Sequence, residues 1–175
     1  RVQSGTFGAV LMKTPEVVAK CCKEMIDAVD TEVTVKCRVG VDQQNPDVTL
    51  PKFLEHISNA GVTRVIIHAR KAILSGLSPK QNRNVPPLNY ELVYKMKELF
   101  PNLHLSLNGG IQTIQQAKSH LENGIDGVMI GRAAYQKPGE VLIDVDKYIF
   151  NDETSEVTEK DVVKQMIPYI ENQYK

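Results

Sequence analysis

Hydrophobic and polar positions along this chain switch repeatedly between a period of two and a period near 3.6, which predicts alternating strands and helices. Residues 33–39 (VTVKCRV) are a β-branched run ending at Gly40 and predict a strand. Residues 64–69 (RVIIHA), 103–108 (LHLSLN) and 128–130 predict three more. Helical spacing fills the intervals. Thr14 and Pro15 open a helix running to about Val29, with Val17, Val18, Cys21, Met25 and Ile26 recurring along it. Further helices are expected at about 50–59, closed by Gly61, at 90–100, broken by Pro101-Asn102, and at 113–123, capped by Gly124. Residues 1–12 and 41–49 read as loops. Residues 133–150 read as a loop at Pro138-Gly139 followed by a short helix, and 151–160 as a polar linker. Residues 161–174 are helical in pattern, with Val162, Val163, Met166 and Ile167 on one side.

The last two predicted strands also end in glycine. Residues 103–110 close on Asn108-Gly109-Gly110, and residues 127–132 close on Gly131-Arg132. Glycines let a backbone approach a ligand closely, the N–H groups opening a helix point at an anion, and the helix dipole favours its charge. Arg132 adds a planar donor fork. A pair of such turns suits a phosphate, and in (βα)8 barrels the loops after strands 7 and 8 commonly carry that site. Taken singly, the first could be an ordinary turn and the second a helix-start glycine beside a surface arginine. Counting back, the chain holds four βα units and would open after barrel strand 4.

Alternation within residues 33–39 places Lys36 and Arg38 on one face, where burial would be costly unless something anionic or polar awaits them. Lys36 alone could be a snorkelling lysine, and His68, at the end of the second strand, a hydrogen-bonded core histidine. Residues 70–88 form a long loop carrying Arg70, Lys71, Lys80 and Arg83 and no acidic residue. Loops of that length are usually functional or disordered. By default Lys80 and Arg83 are a solvated face; together with Arg70 and Lys71 they could neutralise RNA phosphates. His56, His104 and His120 have no partners at ligand spacing and read as structural.

Composition changes this picture little. The 175 residues are 42% hydrophobic and 24% charged, with 21 basic and 21 acidic residues, so net charge gives no reason to invoke an anionic partner beyond a local patch. A whole (βα)8 barrel needs about 250 residues, or at least about 200, which fits half a barrel better than a whole one. No apolar run reaches the roughly 20 residues that span a bilayer, and no signal-peptide order opens the chain, so no membrane is expected and the reading is cytoplasmic. Cys21, Cys22 and Cys37 lack metal-ligand spacing, so no metal is expected and all three read as reduced, buried thiols.

The stretches VTVKCRVG, IIHARKAILSGLSPKQNR, LSLNGG and GVMIGRAAYQKPG, in this order, resemble the tRNA-dihydrouridine synthases, in particular the A-type branch acting at positions 20 and 20a of the D loop. The likeness covers essentially the whole chain, and its long basic loop is the most specific part. It implies a fold of class α/β, the C-terminal half of a TIM barrel (strands 5 to 8), with residues 1–150 an FMN-binding half barrel. Residues 151–175 would be a linker and the beginning of a helical tRNA-binding domain. It further implies FMN as cofactor, NADPH as reductant, tRNA as partner and a monomer when full length.

Residue by residue, the resemblance implies that Lys36 and His68 hold the flavin ring. Asn108, Gly109 and Gly110, with Gly131 and Arg132, would hold its phosphate, and Lys80 and Arg83 would touch tRNA. Arg38 would sit toward the substrate. The family's proton donor is a cysteine in a GCPSDRVQ-G motif. This chain begins RVQSG, so that cysteine would lie just before Arg1, and no catalytic residue is assigned within the chain. The three cysteines present match no such position. The implied reaction is reduction of uridine to 5,6-dihydrouridine, with this chain the FMN-phosphate half and inactive alone. The alternative is a non-catalytic module, a half barrel that binds a phosphate ligand or RNA.

Overall fold

The four apolar runs pair in chain order into one parallel sheet: β1 (Val35–Arg38), β2 (Arg64–His68), β3 (His104–Asn108) and β4 (Gly127–Met129). These come from a computed structural model that describes residues 7–153 and 157–174. The loop expected at 1–12 and the linker expected at 151–160 therefore lie partly outside the described residues. Contacts divide the chain into two units, one of residues 1–110 and 120–129, the other of residues 111–119 and 130–175.

In the first unit the sheet has two unlike faces. Parallel partners in register point the same way, so Val35, Cys37, Val65, Ile67, Leu105 and Leu107 share one side. All but the half-buried Val35 are buried. The helices α1 (Pro15–Ala28), α2 (Pro46–Asn59) and α3 (Tyr90–Leu99) supply the matching half of this core through Cys22, Leu50, Phe53, Leu54, Ile57, Leu92, Val93 and Met96. The opposite side carries Lys36, Arg38, Ile66, His68, Ser106, Asn108 and Met129. That face is mostly polar: His68, Ser106 and Asn108 are buried on the central strands, while Lys36 and Met129 are exposed on the outer ones. Parallel sheets normally cover both faces, so this distribution of polar groups marks the side on which a site is to be sought.

Several boundaries differ from expectation, each for a local reason. Residues 8–13 are not loop but a 3-10 turn (Gly8–Lys13). Thr14 does not cap α1 with its side chain; its hydroxyl donates to the Leu11 carbonyl at 3.3 Å. Helix α2 starts four residues early because Asn45 accepts from the Asp47 N–H at 3.1 Å and Pro46 fits the first helical position. Asn89 caps α3 in the same way, accepting from Leu92 N–H at 3.1 Å.

Of the cysteines, Cys22 and Cys37 are buried as expected, but Cys21 is exposed. Neighbours on a helix point about 100° apart, so one apolar stripe cannot take both. Burial pushes the Cys37 thiol up from 9.0 to about 12. The folded state thus keeps this proton where the unfolded chain gives it up, and its contribution to stability is complete below about pH 9 and lost as pH rises toward 12. Cys37→Ala is expected to flatten the decline in unfolding free energy over that alkaline window, measured by denaturant titration at stepped pH; an unchanged slope would contradict it.

Helix α4 (Ile114–Glu122) precedes β4. In the second unit, residues 133–150 hold not a loop and one helix but three short helices, α5 (Arg132–Gln136), α6 (Pro138–Leu142) and α7 (Val145–Ile149). Helix α8 (Glu159–Gln173) begins with a reciprocal cap between Thr158 and Asp161. A cavity of about 620 Å³ is lined by residues from the α5–α7 segment and the start of α8, including Leu142, Ile143, Val162 and Val163. Among the described residues no helix is long and apolar enough to cross a membrane, and no cluster of three His, Cys, Asp or Glu side chains could hold a metal ion.

Candidate functional site

The C-terminal ends of the first three strands bring chemistry-bearing residues into one row. Arg38 pairs in register with His68, His68 with Asn108, and Asn108 with Met129. All point to the polar face. Lys36 lies one pleat back on the same face, in register with Ile66 and then Ser106. Its ammonium is held below the usual lysine range, chiefly by loss of solvent and then by the Arg38 charge beside it.

Beyond Asn108 the chain turns through Gly109 and Gly110, with φ of +112° and +75°. Two successive residues in that region need glycine. The turn is also crowded. A Cβ on Gly109 would lie 3.1 Å from the His68 ring, and one on Gly110 2.6 Å from Leu88 Cδ1 and 2.7 Å from the Tyr90 hydroxyl. Tyr90 donates to the Gly109 carbonyl at 2.7 Å. The Asn108 side chain is partly engaged, its amide donating to the Met129 carbonyl at 2.7 Å and tying β3 to β4. His68, Asn108, Gly109 and Gly110 thus lie side by side at the strand ends.

One expectation about these turns needs correction. Helix α4 begins only at Ile114, so the Gly109-Gly110 amides are not its opening N–H groups. Gly131 and Arg132 lie in the second unit, at the start of the five-residue helix α5, whose dipole is correspondingly small. Gly131 has a negative φ of −108°, and a Cβ there would meet nothing within 4 Å, so packing within the protein does not require glycine at this position.

The basic loop is built rather than loose. Asn82 is buried at its centre, its Oδ1 accepting from Ile73 N–H at 2.8 Å and its amide donating to the Ile73 carbonyl at 2.7 Å. Arg38 reaches up from β1 and donates to the Asn82 carbonyl at 2.9 Å and the Lys71 carbonyl at 3.2 Å. Asp42 accepts from Leu74 N–H at 2.8 Å and pairs with Lys13 at 2.7 Å; the Lys13 hydrogen bond first, and that of Leu74 second, hold its carboxyl below the ordinary range. The four loop cations separate accordingly. Lys71 donates to the Gln44 carbonyl at 2.8 Å and Arg70 to the Pro86 carbonyl, so both help fasten the loop. Lys80 and Arg83 are exposed on either side of the buried Asn82. Burial first, then the charges of Arg70 and Arg83, depress the pKa of Arg38.

Sequence reasoning missed Asn82, Tyr90 and the capping asparagines. Only the caps had a readable signal, an asparagine directly before a helical pattern. The histidines read as structural do have partners: His56 with the Lys52 carbonyl at 2.7 Å, His104 with Arg64 at 3.2 Å, and His120 with the Tyr94 hydroxyl at 2.6 Å.

The dihydrouridine synthase (Dus) family matches residues 1–175. The chain is 50% identical over 174 residues to the tRNA-dihydrouridine(20/20a) synthase of Salmonella typhimurium, covering 99% of this chain and 52% of that protein. It is 49% identical to the enzyme of the same name from Escherichia coli K12, covering 99% and 50%, and 47% identical to that of Shewanella oneidensis, covering 98% and 50%. The chain spans about half the length of these curated relatives. With the family matched over the whole of its length, the chain belongs to the dihydrouridine synthase family.

Proposed function

We propose that the protein carrying this chain reduces uridine to 5,6-dihydrouridine in the tRNA D loop, at positions 20 and 20a, using FMN and NADPH. The observation that carries this reading is the row at the strand ends: His68 and Asn108, buried on the polar face beside a glycine turn that admits no Cβ, under a basic loop. In this reading β1 to β4 are strands 5 to 8 of a (βα)8 barrel, the polar face lines its interior, and residues from about 151 onward begin a helical tRNA-binding domain. The polar content of one sheet face and the half-length match to the relatives support it.

The residues present fit a flavin mononucleotide. The Gly109-Gly110 turn suits close approach of a phosphate, and Lys36 and His68 offer a cation and an imidazole on one face. Lys36 and His68 would hold the ring and favour negative charge on it, and Asn108, Gly109 and Gly110 would hold the phosphate. Gly131 and Arg132 enter on the resemblance of their stretch to the family. When bound, FMN would deliver a hydride to the uracil C5=C6 bond, with NADPH as the source of reducing equivalents. Proton delivery is assigned to no cysteine of this chain: Cys22 and Cys37 are buried, with thiols raised by loss of solvent, and Cys21 stands on α1 outside the polar face. Residues 1–175 by themselves are therefore expected to be inactive. Lys80 and Arg83 would meet the tRNA backbone.

The test is mass spectrometry of tRNA for dihydrouridine in cells with and without the gene; unchanged dihydrouridine at 20 and 20a would overturn the reading. A paired substitution sorts the residues. In the intact gene product Lys80→Ala is expected to weaken tRNA binding with flavin content intact, whereas Arg132→Ala is expected to lower flavin content. Loss of flavin in Lys80→Ala would move that residue out of the RNA class, and full flavin content in Arg132→Ala would remove it from the phosphate site.

A further inference from the structure

We infer that Tyr90 is a positioning residue for the phosphate of the bound flavin, acting through the Gly109-Gly110 peptide; the inference rests on the reading of that turn as the phosphate site. In a trans peptide the carbonyl of one residue and the N–H of the next point in opposite directions. The Tyr90 hydroxyl holds the Gly109 carbonyl at 2.7 Å, and so turns the Gly110 N–H away from Tyr90 as a fixed donor. Without that bond, two successive glycines leave the peptide free to rotate, because neither has a side chain to restrict it.

Tyr90 is itself held from three directions. Its backbone opens α3 behind the Asn89 cap, and the Asn89 N–H donates to the Ala69 carbonyl at 2.7 Å, which fastens this corner to the end of β2. The edge of its ring meets His120, with centroids 4.6 Å apart and planes at 64°. His120 in turn bonds the Tyr94 hydroxyl at 2.6 Å. The line Tyr94, His120, Tyr90, Gly109 runs from the helix layer to the turn. It supplies the support that a site needs to hold a donor in place before ligand arrives.

The experiment compares two flavins that differ only in the phosphate. FMN and riboflavin are titrated into the flavin-stripped intact protein, with flavin fluorescence as the readout, for the unmodified protein and for Tyr90→Phe. Losing one preset donor is expected to weaken FMN binding by about tenfold. Riboflavin binding is expected to stay unchanged, so the preference for FMN falls by the same factor. A purely structural role would weaken both flavins alike, and an unchanged preference overturns the inference. Should Tyr90→Phe not fold, Tyr94→Phe, which loosens His120 behind the ring, is expected to lower the preference by a smaller factor; an unchanged preference there overturns it equally. If the unmodified protein itself shows no preference for FMN, the phosphate reading of the turn fails, and the inference falls with it.

Discussion

Gly110→Ala is expected to strip the protein of flavin, and Gly124→Ala, at a matched backbone angle, is expected to leave flavin in place. Both glycines sit in the left-handed region, at φ of +75° and +89°. Forcing alanine into that region costs about 1–2 kcal/mol at either position. Their surroundings differ. A Cβ at Gly124 meets nothing within 4 Å, so the backbone term is the whole effect. At Gly110 the Cβ would lie 2.6 Å from Leu88 Cδ1 and 2.7 Å from the Tyr90 hydroxyl. The leucine end can swing away, but the hydroxyl can yield only by releasing the Gly109 carbonyl. The added cost thus falls on the turn assigned to the phosphate. Flavin per protein after gel filtration, alongside thermal melting, checks the pair: both variants should lose some melting temperature and only Gly110→Ala its flavin. Wild-type flavin occupancy in Gly110→Ala would sink the assignment of this turn.

The second large effect is expected from Asn82→Ala. Alanine at this position leaves the Ile73 N–H and carbonyl without their partners inside a part-buried loop, at a cost of about 1–3 kcal/mol each before water re-enters. The Arg38 bond is to the Asn82 backbone carbonyl and survives, so the loop should stay tethered at its base while its middle, with Lys80 and Arg83, loses its order. Because each 1.4 kcal/mol of ordering is a factor of ten in affinity, tRNA binding should weaken by at least about tenfold. Limited proteolysis distinguishes this from lost charge: Asn82→Ala should open a cleavage site within residues 71–88, and Lys80→Ala should not. A protease-resistant Asn82→Ala with normal tRNA affinity would show that the clasp does not order the loop.

These two substitutions also mark where sequence was readable. Gly110 announced itself, since adjacent glycines after an apolar run need a reason that a turn supplies. Asn82 did not. One asparagine among polar neighbours carries no periodic signal, and its two shortest side-chain bonds go to a residue nine positions earlier whose proximity depends on the path of the loop. Arg70 and Lys71 show the same limit. As sequence they were four cations with Lys80 and Arg83, yet each reaches a backbone carbonyl, at Pro86 or at Gln44, that only the folded loop presents.

By itself the sequence determined the order of the four strands and of the helices between them, the placement of Lys36 and Arg38 on one strand face, and the glycine turn after β3. All three follow from side-chain period or from a backbone angle that only glycine tolerates, and both are local properties. Tertiary structure decided the rest. Register across the sheet brought Arg38, His68, Asn108 and Met129 into one row, because which residues face each other depends on pairing between partners 21 to 40 residues apart. It buried Cys22 rather than Cys21, fastened Arg70 and Lys71 while leaving Lys80 and Arg83 exposed, and set Tyr90 against Gly109. Each of these is a contact between distant segments, chosen by packing geometry rather than by local pattern.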